Sequence, residues 1–390
     1  MICILITNMN TQKDPAKQVG IIADDLTSAA DGAGPFMEWA GVAHISRGGL
    51  TRSDAPVLSV DTGSRALGEA EAGQVVGRAA RALADCGTLY KTMDSTLRGH
   101  VREELSAAFR ASRRQLLVVA PAFPDAGRLT LGGNQYVHGK LVAASSYGQD
   151  PVHPARTSRI LDLVDPALGP AIVVPEDASV AELRAAANKA RVLVLDASSQ
   201  QALNDRVAQL SLHACLWAGS PGMAQALAFQ LGARAAAPQA SRRASRVLVV
   251  VGSANRVSHE QCAALQAAGA QRIQDADEIR ADACVVFLQA PAQPDGDSAR
   301  VLAGLVRQAR RALMAHSFDA LIATGGDTMA ALLDAQGIHA FTLLSELEPG
   351  FPLGVTGLAG RDRSLLLAMK AGGFGGPDTL RAAAWRLLGQ

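Results

Sequence analysis

Short apolar runs alternate with helical stretches rich in Ala and Leu along most of the chain, a rhythm that predicts an α/β fold built on parallel sheet. In the first half the runs are VGIIA (19–23), APVLSV (55–60), GTLY (87–90), QLLVVA (115–120), AIVV (171–174), RVLVL (191–195) and the stretch opening CLWAG at Cys215. Each reads as a buried strand. Past Leu231 the pattern lapses into Pro, Ala, Ser and Arg without an apolar period, which reads as a linker. A second series then begins with RVLVVV (246–251), ACVVFL (283–288) and DALIAT (319–324). The expected organisation is a loose tail over 1–18, a first domain over 19–232, a linker over 233–245 and a second domain over 246–390. Two α/β lobes with mainly parallel sheets would leave an interdomain cleft, a common place for a site that closes over its ligands.

Composition narrows the partners. Lys plus Arg is 37 against Asp plus Glu 36, so a net charge of +1 provides no field for a polyanion. An aromatic content of 4% leaves few ring platforms for stacked bases, which argues further against nucleic acid. The five cysteines are scattered and never closely paired, as in a reduced, cytoplasmic protein. The N-terminal apolar run is too short and wrongly flanked for an export signal, and no stretch approaches the roughly twenty apolar residues of a membrane span. Oligomeric state is not legible at this level.

In open parallel sheets, ligands gather beyond the carboxyl ends of strands, where loops and helix N-termini converge. Three neighbouring runs of the first half end in Asp24-Asp25-Leu26-Thr27, Asp61-Thr62-Gly63-Ser64-Arg65 and Lys91-Thr92-Met93-Asp94-Ser95-Thr96-Leu97-Arg98. Any single Asp or Thr there also serves as a helix cap. Lys91 is harder to read that way, because lysine is rare in this chain and most cations are Arg. Aspartates that accept from hydroxyls beside cations that take a carboxylate suit a hydroxy-acid or sugar-acid pocket. The structural alternative pairs Lys91 and Arg98 with Asp61 or Glu104.

The second half offers glycine loops at helix starts instead: Gly252-Ser253-Ala254-Asn255, Thr324-Gly325-Gly326-Asp327-Thr328 and Lys370-Ala371-Gly372-Gly373-Phe374-Gly375-Gly376. Glycine lets backbone N–H groups approach an anion, and a helix N-terminus adds partial positive charge, so the three together point to phosphate. Gly133 to Lys140 fails as a phosphate loop because it has one residue too many and Leu141 where Ser or Thr should bind magnesium. No G-x-G-x-x-G follows a strand, and Gly219-Ser220-Pro221-Gly222 lacks an ordered His and Asp for a serine hydrolase. His153 lies in a proline-rich loop and reads as exposed, and no His, Cys or carboxylate spacing suggests a structural metal.

The stretches GIIADDLTSAAD, DTGSRAL, YKTMDSTLRGHVREEL, APAFPDAGRLTLGG, DPVHPARTSRI, AGSPGMAQAL, VVVGSANRVSHEQ, ATGGDTMAALL, ELEPGFPLG and KAGGFGGPDTL, in that order, resemble the four-carbon acid sugar kinase family. The resemblance covers both lobes from about Gly20 to Leu380. It implies ATP-dependent phosphorylation of the terminal hydroxyl of threonate or erythronate, with magnesium bridging the phosphates. Carried over by position, Asp24, Asp25, Arg65, Lys91, Asp94, Ser95 and Arg98 would face substrate, with Asp25 or Asp94 as the base. Ser253, Gly325, Gly326, Asp327 and the Gly372, Gly373, Phe374, Gly375 loop would contact ATP, and Asp327 would hold magnesium or a ribose hydroxyl. The metal ligands are not assigned. Ser28, Ala254-Asn255-Arg256 and His100 depart from the family pattern. The competing readings are a sugar-acid dehydrogenase or isomerase on the same kind of sheet, and a non-catalytic sensor of sugar acid and nucleotide.

Overall fold

The computed structural model describes residues 15–150, 153–232, 243–253, 255–291, 297–348, 350–357 and 363–390. The strands of the first half are β1 (Val19–Ala23), β2 (Ala43–Arg47), β3 (Val57–Asp61), β4 (Thr88–Thr92), β5 (Leu116–Ala120), the small hairpin sheet β6 (Arg128–Leu131), β7 (Asn134–Val137) and β8 (Lys140–Leu141), then β9 (Ala171–Val174), β10 (Val192–Leu195) and β11 (Cys215–Gly219). Those of the second half are β12 (Val247–Val251), β13 (Gln271–Arg272), β14 (Val285–Gln289), β15 (Ala320–Thr324), β16 (Ala340–Glu348), β17 (Phe351–Gly357) and β18 (Ser364–Lys370). Each apolar run read from the sequence is one of these strands. Val, Ile and Leu fill them without alternation because helices cover both faces of a parallel sheet, and β1, β5, β11 and β12 are buried at every position.

The helices are α1 (Leu26–Ala33), α2 (Met37–Ala40), α3 (Glu69–Ala82), α4 (Val101–Ser112), α5 (Val180–Lys189), α6 (Gln200–Ala208), α7 (Pro221–Gln230), α8 (Arg256–Ala267), α9 (Ser298–Ala315), α10 (Gly326–Ala335) and α11 (Thr379–Leu388). Their starts follow local chemistry. Asp25 caps α1, Ser179 and Glu182 form a reciprocal capping box on α5, and Ser220 caps α7 just before Pro221.

The two expected lobes do not have separate sheets. Among the described residues one sheet runs β13-β14-β12-β15-β18-β17-β16-β2-β3-β1-β4-β11-β5-β10-β9. Both wings are parallel, and the middle is antiparallel: β18 with β17, β17 with β16, and β16 of the second half with β2 of the first. At that seam Ala340, Phe341, Thr342 and Leu343 lie opposite Ser46, Ile45, His44 and Ala43. One apolar core continues across it, placing Phe36 and Ile45 in the same cluster as Phe341, Leu343 and Leu332. No helix among the described residues is long and apolar enough to cross a membrane.

The end of the expected loose tail is docked. Residues 1–14 lie outside the described region, but Pro15–Lys17 form a 3₁₀ turn whose Pro15 carbonyl accepts from Gly87, and the Gln18 amide donates to the Ala55 carbonyl at 2.8 Å. These bonds dock the segment against β3 and β4. The expected linker falls mostly on 233–242, outside the described residues, while Ser245 at its end is held by Asp319 through its amide and hydroxyl.

Arg47, the last residue of β2, ties the seam from the side. It lies 3.6 Å from Asp61 in the first half and 2.6 Å from Asp334 of α10 in the second, and its amide donates to the His339 carbonyl. Asp61 is nearly enclosed, and burial pushes its carboxyl up to about 6. Arg47→Ala strands that carboxyl, so we expect a loss of about 1–3 kcal/mol in chemical denaturation, whereas Asp334→Ala, whose side chain is mostly exposed, should cost less than half as much.

Candidate functional site

The carboxyl ends of β1, β3 and β4 bring the acids and cations read from the sequence together. Asp24 is buried directly after β1. Arg65, in the turn after β3, reaches back with Nε 2.8 Å and Nη2 2.7 Å from Asp24 Oδ2, and with Nη1 2.6 Å from Asp25 Oδ2. The other oxygen of Asp25 accepts from the Ser28 amide at 2.6 Å as the cap of α1. Burial works to raise both carboxyls, but their surroundings separate them. Arg65 and Lys91 hold Asp24 below the ordinary carboxylate range, while burial and the adjacent Asp24 charge lift Asp25 above it.

Asp94 is occupied on both oxygens. Oδ1 accepts from the amide and hydroxyl of Thr96, and Oδ2 from Nε and Nη2 of Arg98 at 2.9 and 2.8 Å. Arg98 also reaches Asp150 at 3.2 Å and lies 5.2 Å over the Tyr147 ring. Ser95 is buried alongside, its carbonyl accepting from Gln135. Lys91 is not an open cation: it is 2% exposed, its Nζ lies 2.9 Å from Glu104 Oε2 of α4, and it donates to the Thr92 carbonyl. The other Glu104 oxygen accepts from Ser64 at 2.6 Å. The free volume between Asp24, Lys91, Asp94 and Arg98 is about 10 Å³, room for roughly one water. Any ligand entering here would have to exchange partners with these side chains, and the Arg98–Asp150 bond, at 3.2 Å, is the longest of the set. His153 is half-buried rather than exposed, its ring 5.5 Å from that of His100.

On the second half the three glycine loops converge at the ends of β12, β15 and β18. Their glycines are demanded by close approach. A Cβ on Gly372 would sit 2.3 Å from the Ser253 hydroxyl, and one on Gly252 2.1 Å from that of Thr328. Gly373 faces Asn255, the cap of α8. Gly375 has φ +82 and packs on Thr379, and the carbonyls of Gly372, Phe374 and Gly376 are tied down by Ser258 and Gln261 of α8. In the remaining turn Gly325 holds the left-handed backbone, φ +91, while Gly326 starts α10 and Asp327 stands exposed beside it.

The two sets of loops meet. A Cβ on Gly326 would lie 2.4 Å from the Thr27 hydroxyl, so the N-termini of α1 and α10 abut across the seam. Between the halves opens a cleft of about 890 Å³ whose lining includes Thr27, Asp31, Phe123, Glu346, Lys370 and Phe374. Burial pushes the Asp31 carboxyl up to about 8, helped by the Asp25 and Glu346 charges, and Glu346 is raised as well. Sequence reasoning did not single out Glu104, Asp31, Glu346 or Lys370 as site residues. All four fall within stretches quoted for the family resemblance, which was the available signal.

Residues 19–227 match the family described as a sugar-binding N-terminal domain, and residues 285–380 the one described as a nucleotide-binding C-terminal domain. The chain is 36% identical to a D-threonate kinase of Bordetella bronchiseptica, over 94% of this chain and 96% of that one. It is 26% identical to a 3-oxo-tetronate kinase of Brucella melitensis, over 92% and 93%. The fold is that of a solved Haemophilus influenzae protein, with a TM-score of 0.75 at 21% identity, covering 95% of this chain and 100% of that one.

Two outcomes follow from the cleft. Because the folded chain holds a proton on Asp31 up to about pH 8 and the unfolded chain only to about 4, this residue costs stability progressively as pH rises between those values. Asp31→Asn should therefore melt close to the parent at pH 4 and a few degrees above it at pH 8 by calorimetry; a gap that shrinks with pH would contradict the assignment. Gly326→Ala should disturb the packing of α1 on α10, and the double variant with Thr27→Ala should recover the parent melting temperature, since it removes the clashing hydroxyl.

Proposed function

The chain belongs to the four-carbon acid sugar kinase family, and on that premise we propose that it transfers the γ-phosphoryl group of ATP to the terminal hydroxyl of a four-carbon aldonate, threonate or erythronate. The observation that carries the reading is the contact of α1 with α10. It sets the carboxylate cluster of one half against the glycine turns of the other, as in-line transfer between two substrates requires. The higher identity to a D-threonate kinase ranks D-threonate first among acceptors.

In this reading the Gly325-Gly326 turn and the Gly372 to Gly375 loop hold the phosphates with backbone amides, and Ser253 closes the floor beneath them. Arg98 takes the acceptor carboxylate in place of Asp150, and Asp24, kept ionised by Arg65, accepts from a substrate hydroxyl. Asp25 is the base. Its raised carboxyl lies closer to working pH than an ordinary aspartate, and its side chain is 26% exposed with one bond on each oxygen, whereas Asp94 is 9% exposed, accepts two bonds on each oxygen and acts by holding Arg98. Atoms balance simply: the terminal hydroxyl oxygen bonds the γ-phosphorus, the bond to the bridging oxygen of ADP breaks, and the hydroxyl proton passes to Asp25. No cluster of three metal-ligating side chains is assembled among the described residues, an arrangement compatible with magnesium carried in on nucleotide phosphates and met by one or two carboxylates. Asp327, exposed at the turn, is the residue that would hold it, and the ion would neutralise phosphate charge.

An ADP-release screen with threonate, erythronate, glycerate and pentonates tests the proposal: turnover with a four-carbon aldonate, abolished by excess chelator, is expected, and no release with any four-carbon acid would overturn it. Asp25→Asn should lower kcat by about 10²–10⁴-fold with both KM values near those of the parent, while Asp94→Asn should act mainly by raising KM for the sugar acid. A reversed pattern would transfer the role of base to Asp94.

A further inference from the structure

Among the described residues of the three glycine loops the cations are Arg256 and Lys370. Arg256 points to solvent and pairs with Glu260 one helical turn away. Lys370, the last residue of β18, is 2% exposed and lines the cleft between the halves. Its Nζ donates to the carbonyls of Ala371 at 2.9 Å and Gly372 at 3.2 Å, and among the described residues it makes no ion pair. Lys91 is buried to the same degree and has Glu104. A buried ammonium with only carbonyl partners retains most of its desolvation cost, which an arriving anion would relieve.

Two features make that exchange inexpensive. The Gly372 carbonyl also accepts from the Ser258 hydroxyl at 2.6 Å, so it stays bonded when Lys370 leaves it. Lys370 is in register with Thr324, and its carbonyl accepts from the Gly325 amide at 2.8 Å, which places it beside the turn whose next residue abuts Thr27 of the first half. We propose that Lys370 receives the phosphate chain of the nucleotide, exchanging its bond to the Gly372 carbonyl for one to a phosphate oxygen. The inference rests on the reading of the second half as the ATP side and names a contact beyond the glycines assigned to it.

A proton effect follows. Burial lowers the Lys370 ammonium to about 8, so near that pH part of the empty protein carries a neutral amine. A polyphosphate beside it restores the charged form, and nucleotide binding then takes up a proton. The uptake fades below about pH 7, where the group is already charged. The titratable groups that face it are Cys262 of α8, whose thiol is pushed up to about 12 and stays neutral, and across the cleft Asp31 of α1 and Glu346 of β16. Either carboxyl could add to the uptake, so the lysine variants isolate its share.

The test is calorimetric titration of ATP and magnesium, without sugar acid, into the full chain at pH 8 in two buffers of different ionisation heat. The expected result is uptake of at least about half a proton by the parent, and in Lys370→Met a clear reduction of it with about 10–100-fold weaker binding. Threonate affinity and melting temperature of the variant should match or exceed those of the parent. Lys370→Arg, charged at every pH, should bind ATP with the lysine share of the uptake gone and serves if the Met variant does not fold. Unchanged affinity and proton count in either folded variant would overturn the assignment. Failure of the parent itself to bind ATP would instead strike the kinase reading.

Discussion

Backbone hydrogen bonds between β2 and β16 make one sheet of two halves, and the geometry of the site depends on that pairing. β2 follows closely on the segment that carries Asp24, Asp25 and α1, while β16 leads through Glu346 into the meander that ends at Lys370. The register that sets Ala43 against Leu343 therefore also sets how far the acids of one half stand from the glycine turns of the other. A slip of one residue would turn Ile45 and Phe341 out of the shared core, so burial on both sides of the seam enforces the alignment.

The halves manage charge in opposite ways. Around β1, β3 and β4 the cations Arg65, Lys91 and Arg98 each face at least one carboxylate; Lys91, Glu104 and Asp24 are buried, while Arg65, Arg98 and Asp25 keep about a quarter to a third of their side chains exposed. Removing Glu104 would leave the buried Lys91 charge uncompensated. The second half is built from glycines packed on hydroxyls, with few charges and with helix N-termini at the loops. In the proposed reading one side discriminates among small acids by exchanging ion-pair partners, and the other accepts a large anion through backbone. The carboxylate side and the glycine turns approach each other where Thr27 faces Gly326.

Much of this was readable in the chain before its structure. VGIIA, QLLVVA and RVLVVV are unambiguous because a strand covered on both faces needs apolar residues throughout, and the polar residues that follow them do cluster at the strand ends. β2 and the β16–β18 meander were not legible. AHISR and AFTLLSELE mix polar and apolar positions, and β16 carries irregularities in register near Ser345 and Glu348 that break the alternation on which a strand reading rests. Residue types named the cluster of Asp24, Arg65 and Asp94, and Glu104 was among the partners they offered for Lys91, which it takes. The Arg65–Asp24 and Arg98–Asp150 contacts join residues 41 and 52 positions apart, which spacing alone does not bring near.

The seam also bears on any attempt to study either half alone. In the intact chain β2 and β16 each spend one row of amides and carbonyls on the other. Cut near residue 233, the first piece would end its sheet on β2 and the second on β16, each with an unpaired margin of mixed polar and apolar side chains. Such margins template intermolecular strand addition, so isolated fragments would be sticky and prone to self-association. For this protein the practical unit of expression and crystallisation is the whole chain.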